Sequence, residues 1–205
     1  MTEKQPHSHK KWKMLFFILL ISNGIVLLTL SVLLFWPAAD VDRPDHKPIE
    51  KEDSSEFIVR TTKQNVDDLA NAYLEELLKG TKHHYSITLG EDVQLNGELP
   101  VFSTTVPLTV RFDPIVQANG DVVLKQKSIS VGLLQLPNQK IMEYMKKYLP
   151  MPDWVTVDAK NEEIYVAVTN MDIKSNFHVY VEQLDLESNN LAFKIRVPYE
   201  TLGID

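Results

Sequence analysis

The chain has 205 residues, room for one domain of ordinary size with accessory segments, and its 44% hydrophobic content is enough for a core. A net charge of −7 offers no electrostatic footprint for nucleic acid. The absence of cysteine excludes a disulfide framework, a thiolate metal site, a cysteine nucleophile and a lipidated-cysteine anchor.

Residues 1–13 form a short basic tail, with Lys10, Lys11 and Lys13 at its end. Residues 14–36, MLFFILLISNGIVLLTLSVLLFW, then run without a charge. As a helix this stretch measures about 34 Å, enough to cross a bilayer core of about 30 Å. A cleaved signal peptide would have a shorter apolar region and a small-x-small cleavage site, whereas Pro37 and Trp36 occupy the −3 positions of the two candidate cuts. The spacing therefore predicts an uncleaved single-pass helix in the cell membrane. The lysines before it and the acids after it (Asp40, Asp42, Asp45) put the N-terminus in the cytoplasm and the rest outside.

Residues 37–56, PAADVDRPDHKPIEKEDSSE, read as an acidic, proline-containing linker, which reaches about 60 Å when fully extended. Residues 57–205 make up an extracytoplasmic α+β domain. From Thr62 to Lys79 the apolar residues Val66, Leu69, Ala70, Tyr73, Leu74, Leu77 and Leu78 recur on one helix face. Thr62 is placed as the N-cap and Gly80 follows the last turn. The period then changes to two through Tyr85–Leu89, Val93–Val101 and Thr105–Phe112, with a turn at Asn119-Gly120-Asp121. In VVLKQKSISV, residues 122–131, the apolar parity switches between Leu124 and Ile129, which predicts a bulge.

A second, short helix over Asn138–Tyr148 presents Ile141, Met145 and Leu149, and Pro150 ends it within YLPMPDW, residues 148–154. Strands at 154–157, 164–168, 177–181 and 191–197 complete an antiparallel sheet of about seven to nine strands. So much one-sided apolar strand needs covering. A curved sheet wrapping one long and one short helix supplies the cover.

No catalytic constellation emerges. His7, His9 and His46 lie in the tail and linker, His83 and His84 point to opposite faces of an extended chain, and His178 stands alone. There is no HExxH, GxSxG, P-loop or GxGxxG, and the adjacent Glu162 and Glu163 read as solvated. The expectation is a non-enzymatic protein without cofactor or metal. Between Val122 and Pro150, however, five lysines meet a single acid, Glu143, inside the densest apolar stretch. Basic residues flanking apolar ones suit an anionic lipid surface.

The basic tail with its single span, VPLTVRFDPIVQANGDVVLK (106–125) and SVGLLQLPNQKIMEYMKKYLPMPDWVTVDAKNEEIYV (130–166) resemble the YpmS family of membrane-anchored Gram-positive proteins. That family supplies no residues of known function. The order strand, turn, strand, Gly-Leu-Leu segment, short helix and proline-rich exit also resembles tubular lipid-binding (TULIP-like) exported proteins. That likeness implies a curved sheet around a long helix, with an apolar groove for acyl chains.

The expected ligand is membrane lipid or a lipid-linked envelope component. Its groove would be lined from Val131, Leu133, Leu134, Leu136, Ile141, Met145, Met151 and Trp154, with Lys140, Lys146 and Lys147 at the headgroup. The alternative is an interaction module that scaffolds or regulates a cell-envelope enzyme, its partner an envelope protein.

Overall fold

The computed structural model describes residues 8–42, 54–81, 83–101, 104–132, 136–171, 173 and 176–202. The chain divides into two compact units, Met1–Pro37 and Ala38–Asp205.

The first unit is helix α1 (Ser8–Phe35). Its segment Trp12–Phe35, 24 residues, is long and apolar enough to cross a membrane. Two polar side chains within it are satisfied locally: Asn23 Nδ2 donates to the Leu19 carbonyl at 2.9 Å, and Thr29 Oγ1 to that of Ile25 at 2.8 Å. A membrane-length helix needs such internal pairing, because hydrocarbon offers no partner.

The second unit is α+β. Its elements run β1 (Ser54–Thr61), α2 (Lys63–Leu78), β2 (Tyr85–Leu89), β3 (Val93–Val101), β4 (Thr104–Val116), β5 (Val122–Val131) and α3 (Asn138–Tyr148). There follow β6 (Val155–Asp158), β7 (Glu163–Val166), β8 (His178–Asp185) and β9 (Asn190–Pro198). Among the described residues the nine strands form two antiparallel sheets rather than one. Six follow the order β2-β3-β4-β5-β7-β6 as a curved half-barrel, and three the order β1-β9-β8.

The 37–56 stretch contributes to this unit at both ends. Ala38 is buried in the main core, Asp40 pairs with Lys160, and β1 starts at Ser54. The strand at 164–168 is shorter than its apolar run. After Val166 the chain turns into a 3₁₀ helix, Val168–Asn170, because Thr169 is drawn to Asp121 through its amide at 3.0 Å and its hydroxyl at 2.9 Å.

The core fills the concave side of the six-stranded sheet. Leu108, Val110 and Phe112 of β4 point inward with Leu99, Val131, Val157 and Ile164. Helix α3 lies against them with Ile141, Met142 and Met145 buried, each contributing about 1.5–3 kcal/mol by removal from water. The bulge predicted in β5 is present. Arg111 faces Ser128 and Phe112 faces Gln126, which leaves Lys127 as the extra residue. Its ammonium reaches Asp113 at 3.2 Å and the buried Asp92 at 3.5 Å, where Arg111 Nε also donates at 2.9 Å.

Helix α2 starts at Thr62, whose hydroxyl accepts from the Asn65 amide, and Gly80 beyond its end takes φ +81°. Its polar side protects the free edge of β2. Asn71 imitates a strand by donating to the Ile87 carbonyl at 2.7 Å and accepting from the Ile87 amide at 2.8 Å, and Asp67 accepts from Leu89 N. Its Tyr73 ring meets Trp154, just before β6, at 5.5 Å. Helix α2 thus touches both ends of the six-stranded order.

The two sheets join at the Asn119–Asp121 turn. The Gly120 carbonyl accepts from Val181 N at 2.8 Å. Gly120 has φ +89°, and a Cβ there would sit 2.7 Å from the Tyr180 Cβ, so both conformation and space require glycine.

Candidate functional site

Helix α3 ends because Pro150 forbids its continuation. Leu149 turns extended (φ −87°, ψ 133°) while its amide still donates to the Met145 carbonyl at 3.0 Å. The last-turn side chains Lys147 and Tyr148 are thereby left on the surface beside Leu149 and Pro150. They form one wall of an open cleft of about 750 Å³. That volume lies in the range of small-ligand sites.

The facing wall comes from chain 40 to 70 residues earlier. Thr81, His83 and His84 arrive on the connection from α2 to β2, and Glu98, Pro100 and Thr105 on the ends of β3 and β4. Tyr85 supports this wall, its hydroxyl donating to the Glu98 carbonyl at 3.3 Å and its ring 6.0 Å from His83. The same ring fills the space where Gly97 lacks a side chain: a Cβ there would lie 2.1 Å from it. Burial first, then the neighbouring Tyr144, pushes the Tyr85 phenol up to about 12.

On the α3 side, Tyr144 and Tyr148 stack at 4.8 Å, and Lys147 Nζ lies 5.1 Å above the Tyr148 ring. Burial, then Tyr148, raises the Tyr144 phenol as well. The cleft thus combines apolar surface (Pro100, the Tyr148 ring, Leu149, Pro150), one cation, one carboxylate, three hydroxyls and two imidazoles. Such a lining suits an amphipathic ligand: a ring or acyl portion against the apolar residues, a charged or hydroxylated portion at the rim. Among the described residues no three metal-ligating side chains converge.

The residues singled out from sequence are dispersed. Val131, Ile141 and Met145, at 2%, 3% and 0% exposure, are packed in the core. Met151 is half-buried against the same core, Trp154 packs with Val123, Tyr165 and Ala167, and Leu136 is exposed. Leu133 and Leu134 lie outside the described residues. Lys140 is drawn to Glu143 at 3.0 Å, Lys146 is exposed, and Lys147 reaches the cleft.

Thr81, His83, His84, Glu98, Pro100 and Thr105 carry no signal that sequence reasoning used. The nearest one is that His83, His84 and Pro100 punctuate strand ends, and strand ends on one side of a curved sheet share a rim.

Comparison with known proteins places the chain beside bacterial relatives of undetermined role. A family described as "Uncharacterized protein conserved in bacteria (DUF2140)" matches residues 10–197. The "Uncharacterized protein YpmS" of Bacillus subtilis (strain 168) is 29% identical over 188 residues, covering 92% of this chain and 98% of the relative. No solved structure matches.

Proposed function

The chain belongs to the conserved bacterial family DUF2140, and on that premise we propose that it is a single-pass, membrane-anchored extracytoplasmic protein that binds lipid or a lipid-linked envelope component without catalysing a reaction. The anchor would be Trp12–Phe35, with the lysines before it on the cytoplasmic side. The observation that carries the binding reading is the cleft at the α3 exit, where Tyr148, Leu149 and Pro150 supply apolar surface beneath Lys147. A lipid-linked molecule presents the matching chemistry, an apolar tail beside an anionic or hydroxylated head.

The test uses the full chain in liposomes that contain a photoactivatable phospholipid. After illumination and digestion, adducts are expected on peptides holding residues 81–84, 98–105 and 147–150, in addition to those on the span. Adducts confined to the span would sink the proposal.

A further inference from the structure

Among the described residues strand β1 is an outer strand, with β9 on one side and no neighbour on the other. Among the described residues that second edge makes no backbone hydrogen bond. It also carries three consecutive exposed apolar side chains: Phe57 at 55%, Ile58 at 64% and Val59 at 43% exposure. Exposed edges are normally blunted by like charges, proline or a covering element, because they pair with other chains. In the same unit the free edge of β2 is capped by Asn71 and Asp67. The edge of β1 has no such cap among the described residues.

Its sequence, SSEFIVRT, complements itself. A two-fold axis normal to the sheet through Ile58 pairs two antiparallel copies so that Ile58 faces Ile58, Phe57 faces Val59, and Ser55 faces Thr61. Glu56 then faces Arg60 twice. Moving the axis to Phe57 or Val59 sets both charges opposite uncharged residues. Only the Ile58-centred register matches charge with charge.

The register also extends a ladder that each copy already contains. Glu56 accepts from Arg196 of β9 at 2.6 and 3.1 Å on the face that it shares with Ile58 and Arg60. The second copy's Arg60 would approach the same carboxylate from the other side. On the opposite face, Phe57 and Val59 would cover their symmetry mates, burying what is now exposed.

We propose that the free edge of β1 is a homodimer interface, at which two copies of this chain join their three-stranded sheets into one six-stranded antiparallel sheet about a two-fold axis at Ile58. This closed, isologous contact is the commonest oligomer symmetry and uses one surface patch twice. Copies anchored as proposed above would meet in two dimensions, which adds to the population of this contact.

The chain has no cysteine, so a single introduced thiol reports on this contact alone. Residues facing each other across an antiparallel pair have Cα atoms about 4.5–5.5 Å apart, within disulfide range. Full chain carrying Ile58→Cys, oxidised in native membranes, is expected to form a disulfide-linked dimer. Full chain with Glu75→Cys, an exposed position on α2, controls for collision. Adding Arg60→Glu to Ile58→Cys sets glutamate against Glu56 twice and is expected to lower dimer yield about tenfold. Arg60→Lys should retain it.

Arg60 is exposed and bonds the Asn190 side chain, so these changes leave the fold intact, and melting temperatures recorded in parallel check that. Native mass spectrometry of the unsubstituted chain in detergent gives a second reading, expected to show a dimer. The inference is overturned by a monomer there, by Ile58→Cys crosslinking no better than Glu75→Cys, by indifference to Arg60→Glu, or by an adduct to a different protein.

Discussion

Met145 and Tyr148 stand three residues apart on α3 and divide core from cleft, so one pair of truncations separates the two roles. Met145 is fully buried among Val131, Leu108, Phe112 and Met142. Replacing it with alanine removes apolar contact and leaves a cavity that the surrounding strands cannot fully close, at about 3 kcal/mol. Tyr148 is 51% exposed and stacks on Tyr144. Its truncation forfeits about half the burial of a ring plus one aromatic pair, about 1–2 kcal/mol.

The chain has three tryptophans, Trp12, Trp36 and Trp154. With the first two changed to Phe, Trp154 alone reports unfolding of the globular unit in urea, and linear extrapolation gives each free-energy difference. Photolabelling of the cleft peptides, scaled to the folded fraction, is measured on the same samples. The expected pattern is crossed: Met145→Ala loses stability but keeps labelling per folded molecule, and Tyr148→Ala keeps most stability but loses labelling. A Met145→Ala cost below about 1 kcal/mol would refute the packed core. Undiminished labelling in Tyr148→Ala would refute the cleft.

Two further substitutions probe the wall of the cleft and the join between the two sheets. Tyr85 has a folded-state pKa above its unfolded value of 10, so the stability tied to its neutral phenol is whole below pH 10 and is lost as pH rises toward 12. Tyr85→Phe should flatten the fall in unfolding free energy over that window and remove one late step from the tyrosinate absorbance titration. An unchanged alkaline slope would count against burial of this ring. Asp121, buried in the turn that joins the two sheets, accepts from Tyr165 Oη, Asn119 Nδ2, and the Thr169 amide and hydroxyl. Asp121→Ala leaves these donors without their acceptor and should cost about 3–5 kcal/mol in thermal or urea unfolding, with Asp121→Asn costing less. A loss under about 1 kcal/mol would show that the turn does not clamp the sheets.

Local periodicity carried most of the fold. Val66 to Leu78 marked α2, Asn138 to Tyr148 bounded α3, and the parity switch between Leu124 and Ile129 located the bulge at Lys127, because each signal lies within one element. Strand β1 escaped for the opposite reason. Its partner is β9, whose first residue is Asn190, and its apolar run is three residues long inside an acidic, polar stretch. Division into two sheets was equally hidden, because alternation reports which face of a strand is buried and not which strand lies beside it. For the site, sequence marked the α3 exit through its prolines, but the opposite wall depends on where strand ends meet in a curved sheet.

That wall changes what a ligand would find. A groove along the concave face would need the stripe of Ile141, Met145 and Val131 to be exposed, yet these side chains are spent on packing α3 against β4 and β5. An open cleft lies where α3 runs out, lined by Lys147, Glu98, His83 and His84 together with Pro100, Leu149 and Pro150. Opening the interior would mean pulling α3 away and re-exposing three fully buried side chains, a cost of about 5–9 kcal/mol. Binding in the end cleft requires no such disruption. A lipid held there would engage by its head and the first part of its tail, in contact with solvent and exchangeable, rather than be swallowed whole.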